Sequence, residues 1–169
     1  HNLGLTYYEK RDWDNARKYL QQAVSLAPEN PNHCVLLARA IFENFIARTR
    51  NEIIFPWRMP ADIQADLQAA DELFTKAVQG YRNQDRSVQL CATYANRGGV
   101  RAALGKAEEA VADYNEAILL DSKSGVAYRN RGLTKFELNR YSEGIADLEK
   151  AIEYGEDSWV ADLVPKIAL

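Results

Sequence analysis

Residues 93–118, TYANRGGVRAALGKAEEAVADYNEAI, and residues 127–152, AYRNRGLTKFELNRYSEGIADLEKAI, stand 34 residues apart and agree at ten of twenty-six positions. Unrelated segments of that length share about two, so the chain repeats itself at a fixed period. A period of this size marks a solenoid. Each unit is a helical hairpin too small to bury its own apolar face, and it must stack on a neighbour. Such arrays present surfaces to other chains more often than they carry out chemistry.

The logic of one unit can be read from residues 91–124. Tyr94, Gly98 and Arg101 recur at helical spacing on a first helix, which Leu104 and Gly105 close, glycine being free to take the left-handed conformation of a helix end. A second helix starts near Glu108, where Ala110, Tyr114, Ala117 and Ile118 form one apolar stripe and Glu109, Asp113 and Glu116 lie off it. Gly98 and Ala110 are small enough to let the two helices approach, and Tyr114 and Ala117 fill the contact with the next hairpin.

These residues resemble the tetratricopeptide repeat family. Its pattern sets a large residue at the fourth position, Gly or Ala at the eighth, an aromatic at the eleventh, a small residue at the twentieth, an aromatic at the twenty-fourth, Ala at the twenty-seventh and Pro at the thirty-second. Residues 91–124 supply Tyr94, Gly98, Ala110, Tyr114 and Ala117, and residues 125–158 supply Tyr128, Gly132, Gly144, Leu148 and Ala151. Both depart from the pattern at the eleventh position, with Arg101 and Lys135, and at the late proline, with Ser122 and Glu156. At the N-terminal end Gly4, Tyr7, Trp13, Ala16, Leu20, Ala23 and Pro28 are in register. The resemblance implies an all-α, right-handed α-solenoid of antiparallel helical hairpins.

The expected division is a first repeat over 1–30 that lacks its opening residues, a second over 31–90, a third over 91–124, a fourth over 125–158, and a tail over 159–169. From Gly4 to Gly98 is 94 residues, one period plus 60, so the second repeat is 26 residues longer than the rest. Its helices are expected in CVLLARAIFENFIART and DIQADLQAADELFTKAVQGY, both lengthened and joined by a proline-bounded insertion around 48–61. Ile53, Ile54, Phe55 and Trp57 in that insertion read either as a local cap folded onto the long hairpin or as a docking loop, since an exposed cluster this apolar marks an interface. The tail carries Trp159, Val160, Leu163, Val164 and Ile167 at helical spacing and reads as a capping helix or as the start of a further repeat. Because the chain opens in the middle of a helical pattern, a fragment of a longer protein is expected.

Composition narrows the function. The formal net charge is -3, with eleven basic and eleven acidic side chains in residues 1–90 and ten against thirteen in residues 91–169, a balance that does not predict nucleic acid as a partner. No apolar run reaches the roughly 18 residues of a membrane span. Cys34 and Cys91 are too few for a disulfide framework or a metal site and read as small buried side chains in a reducing, cytoplasmic setting. His1 and His33 have no partner at ligand or triad spacing, and no phosphate-cradling glycine loop occurs, so no catalytic residue, metal or cofactor is expected.

What remains is binding. In the resembled family the first helices line a concave groove, and the register places Asn2, Leu5, Tyr8, Arg39, Phe42, Asn96, Arg129, Asn130, Leu133 and Phe136 on it. Asparagine recurs at one groove position as Asn2, Asn96 and Asn130. An amide both donates and accepts, so a row of them can hold a peptide backbone without reading its sequence; alternatively each bonds locally. The expected function is a protein-interaction scaffold that takes a peptide or helix in that groove. The alternatives are the sensor or substrate-presenting arm of a larger NTPase or transferase, and self-association through the uncapped ends.

Overall fold

A computed structural model describes residues 2–49 and 59–155. Among these the chain forms eight α-helices and no strand: α1 (Asn2–Glu9), α2 (Trp13–Leu26), α3 (Pro31–Thr49), α4 (Ala61–Arg82), α5 (Ser87–Ala103), α6 (Ala107–Leu120), α7 (Gly125–Glu137) and α8 (Tyr141–Glu153). Ile53, Ile54, Phe55 and Trp57 of the insertion, and the tail over 159–169, lie outside the described residues. The chain is an all-α helical-repeat protein in two compact units, His1–Arg86 and Ser87–Leu169. In the first, α1 packs on α2, α2 on α3 and α3 on α4; in the second, α5 packs on α6, α6 on α7, α7 on α8, and α5 also meets α7. The helices α3 and α4 have 19 and 22 residues, where α6, α7 and α8 have 14, 13 and 13.

The hairpins turn in one way. Arg11, Gly105 and Asn139 occupy the same place in three of them, all with positive φ of 57°, 75° and 60°. At each, the next residue's N–H bonds a carbonyl five residues back, Asp12 to Tyr7, Lys106 to Arg101 and Arg140 to Lys135, which closes the first helix on its own last turn. In the first hairpin Asp12 then caps α2 by accepting from the Asn15 backbone N–H at 3.3 Å.

The apolar stripes make the cores. Ala16, Leu20, Ala23, Leu37, Ala38, Leu67, Ala70, Phe74 and Ala77 are buried in the first unit, and Tyr94, Ala110, Tyr114, Ala117, Ala127, Leu148 and Ala151 in the second. Close approach depends on missing side chains. A Cβ on Gly98 would stand 2.6 Å from Tyr114 Cε1, inside the ring that fills the α5–α6 contact. The Tyr114 hydroxyl reaches on to Thr134 of the following hairpin, and burial raises its pKa far above the ordinary tyrosine range.

Asp113, which the sequence reading set off the apolar stripe, is buried to 3% exposure. Arg97 grips it with two bonds, Nε to Oδ2 at 2.9 Å and Nη2 to Oδ1 at 2.6 Å, and Arg101 Nη1 reaches Oδ2 at 3.1 Å. The next hairpin repeats the device: Arg131 Nε donates to Asp147 Oδ2 at 2.8 Å, and Lys135 Nζ lies 2.9 Å from the same oxygen. In the first hairpin the places of Arg101 and Asp113 belong to Tyr7 and Tyr19, whose rings stack 5.4 Å apart and nearly parallel. The missing eleventh-position aromatic is therefore part of an exchange. An aromatic pair and a buried cation–carboxylate pair tie the two helices of a hairpin at the same two positions.

Candidate functional site

In the first unit the expected groove residues come from α1 and α3. Tyr8 stands in the last turn of α1, and the Arg39 guanidinium of α3 sits over its ring at 5.3 Å. Burial pushes the Tyr8 hydroxyl up from its ordinary pKa and nearby Glu43 adds to the rise, while Arg39 acts in the opposite direction. Trp13, the first residue of α2, meets Tyr8 edge to face at 5.4 Å. Phe42 stacks on Phe45 of its own helix at 6.0 Å. Leu5 is half-buried and Asn2 exposed, so α1 contributes a graded face whose chemistry concentrates at its C-terminal end.

In the second unit the first helices are α5 and α7. From α5, Val88, Cys91, Ala92, Ala95 and Asn96 line a cavity of about 500 Å³ that Leu120 and Val126 help to close. Its aliphatic side chains are joined by the Asn96 amide, the Asp121 carboxylate, the Ser87 and Ser124 hydroxyls and the Cys91 thiol. The thiol donates to the Ala117 carbonyl at 3.4 Å, and burial, with Asp121 second, raises its pKa. On α7, Arg129 Nε donates to the Asn130 side-chain oxygen at 3.3 Å. The oxygen of that amide is thus engaged locally. Leu133 is half-buried. Phe136 turns inward: it packs against Gly144 and tilts against Tyr141 at 5.8 Å, which ties it to its own hairpin.

The structure thus joins Tyr8 with Arg39 in one unit, and Asn130 with Arg129 in the other. Among the residues not expected on the groove, Glu43 lies one helical turn after Arg39 and Val126 stands at the second position of its repeat, spacings that could have found both; Trp13 was read only as part of the repeat pattern, and Cys91 opens its repeat one place before the register positions. Among the described residues no group of three His, Cys, Asp or Glu side chains could hold a metal ion, and no helix is long and apolar enough to cross a membrane.

Models of the tetratricopeptide repeat match residues 1–30, 92–124 and 126–157. A comparison with curated proteins found no match. Among solved structures, a chain of the APC/C hetero-tetramer Cut9–Hcn1 superposes with a TM-score of 0.78 at 18% identity, over 98% of this chain and 28% of that one. A tetratricopeptide repeat protein from Parabacteroides merdae does so with a TM-score of 0.66 at 25% identity, over 97% and 55%. MamA gives 0.65 at 17%, over 94% and 74%. The chain therefore spans about a quarter and about half of the first two.

Proposed function

The chain belongs to the tetratricopeptide repeat family and is a protein-interaction scaffold, and from that premise we propose that its first helices bind an extended peptide or a helix of a partner. The observation that carries this reading is the meeting of Tyr8 and Arg39, residues from consecutive first helices, on a shared face. In the second unit, Asn96 opens into a cavity walled in part by Val88 and Val126. The mechanism is presentation. Helices locked by buried carboxylates and aromatic rings hold amide, guanidinium and aromatic groups in fixed positions, so binding costs little ordering entropy. An amide such as Asn96 would accept and donate to a peptide backbone while the cavity takes a side chain.

The test uses a peptide selected from a displayed random library against the intact chain. Asn96→Ala combined with Asn130→Ala should weaken its binding with the helical circular dichroism signal intact. Unchanged affinity would remove the amides from the site, and competition that maps only to residues 51–60 would move binding to the insertion.

A further inference from the structure

The long helix α3 runs on after its neighbour stops. Helix α1 ends at Glu9 and the chain turns through Arg11 into α2 at Trp13, while α3 continues to Thr49. A cavity of about 510 Å³ lies between the last turns of α3 and that turn, within the roughly 300–1,000 Å³ of ligand pockets. Tyr8 and Trp13 line it, their rings edge to face. Glu9, Glu43 and Arg11 bring two carboxylates and a guanidinium to the described lining, while a second guanidinium, that of Arg39, is held over the Tyr8 ring. Ile46, 43% exposed, supplies an aliphatic strip at the wall.

We propose that this cavity binds a basic side chain, the ammonium of lysine or the guanidinium of arginine, presented by the partner polypeptide. The inference rests on the reading of α1 and α3 as a binding face and adds the chemistry of what that face selects. Each element of a basic side chain finds its counterpart. The aliphatic stem lies along Ile46, and the cationic head meets the Trp13 ring and the carboxylates of Glu43 and Glu9. Tyr8 already shows this preference, since it takes the Arg39 guanidinium over its ring. Bringing an anion into the same space would set it against both carboxylates, so the charge arrangement favours a cation over an acidic or phosphorylated residue.

The test follows the Trp13 indole N–H signal by nuclear magnetic resonance on the intact chain, assigned with Trp13→Phe. The probes are the pentapeptide acetyl-Gly-Gly-Lys-Gly-Gly-amide and its counterparts with norleucine or glutamate at the centre. The lysine peptide should move the signal saturably and the other two should not. Glu43→Gln, and separately the exposed Glu9→Gln, should weaken the lysine peptide by roughly 3- to 30-fold. Arg11→Gly should tighten it by removing the competing cation, and Glu149→Gln in the other unit should leave it unchanged. Tetramethylammonium chloride distinguishes a cation held by the rings alone from one that also needs its alkyl stem: a shift with the salt matching that of the lysine peptide would overturn the side-chain assignment. The proposal also fails if norleucine moves the signal as lysine does, if glutamate moves it instead, or if neither carboxylate variant changes the affinity. Loss of the library peptide in the Asn96/Asn130 variant with no effect of the lysine probe on Trp13 would discard the basic-residue pocket and keep the groove. A lysine response without any effect of the asparagines would do the reverse.

Discussion

Phe136 lies directly over Gly144: a Cβ on that glycine would come 2.8 Å from Phe136 Cε2 and 3.0 Å from the backbone oxygen of Gly132. The preceding hairpin has Ala102 and Ala110 at the two equivalent positions. Enlargement on the first helix is therefore matched by reduction on the second, and the hairpin keeps its spacing. Gly144→Ala should destabilise the chain by roughly 1–3 kcal/mol, because the backbone oxygen cannot yield as a side chain can. Adding Phe136→Ala recreates the alanine pair of the earlier hairpin and should cost less than the sum of the two single losses, by urea denaturation. Strict additivity would show that the ring and the glycine do not share the space.

Asp113 is the shared anchor of two cations, so its removal should exceed the loss of either one. Asp113→Ala leaves Arg97 and Arg101 facing each other across a buried site, where side-chain exposure of Arg97 is 11% and of Arg101 16%. The cost should be roughly 3–5 kcal/mol, the range for breaking a buried ion pair from one side. Arg101→Ala keeps the bidentate Arg97 bond and should cost less. Calorimetric melting of the two variants decides this, and equal losses would show that Arg97 alone does not satisfy the carboxylate.

The pattern of small and large residues made the hairpins legible, because Gly98 under Tyr114 and Ala110 beside it leave one way for two helices to pack. The buried charges were not legible for the same reason in reverse. Asp113 and Asp147 stand three residues after Ala110 and Gly144 and four before Ala117 and Ala151, at the edge of the apolar stripe, where spacing permits burial but a lone charge speaks against it, and only the pairing of Arg97 and Arg101 with Asp113 across sixteen and twelve residues of sequence shows that the charges were carried inside together. What a register cannot give is rotamer and neighbour: Phe136 turns to Gly144, Asn130 is met by Arg129, and Glu43 stands near enough to Tyr8 to act on its hydroxyl.

The left-handed turn residue offers a gain. Arg11 adopts φ of 57° where the third hairpin uses Gly105. A side chain in that conformation costs on the order of 1 kcal/mol, which glycine avoids although it releases some entropy in the unfolded chain. Arg11→Gly should therefore be neutral to stabilising, raising Tm by a few degrees at most. A marked drop in Tm would mean that the Arg11 side chain makes contacts worth more than its strain.

Cys91 can report on the occupancy of the second unit's cavity. Its thiol lines the space with Ala92, Ala95 and Val126, and burial, followed by the Asp121 carboxylate, holds its pKa above the usual thiol range. A raised pKa keeps the thiol protonated at neutral pH, so iodoacetamide should react with Cys91 more slowly than with free cysteine and faster as pH rises, since the thiolate is the nucleophile. The linkage has the matching sign: the protonated thiol contributes stability below the ordinary thiol range, and that contribution is lost as pH climbs through the raised value. Cys34 is buried at 1% exposure, with its pKa raised by its own burial, and should lag further. Saturation with the library peptide should slow Cys91 alkylation several-fold with that of Cys34 unchanged, as read by mass spectrometry of the digested chain. If Cys91 reacted at the same rate with peptide bound, the peptide would not lie against the α5 face.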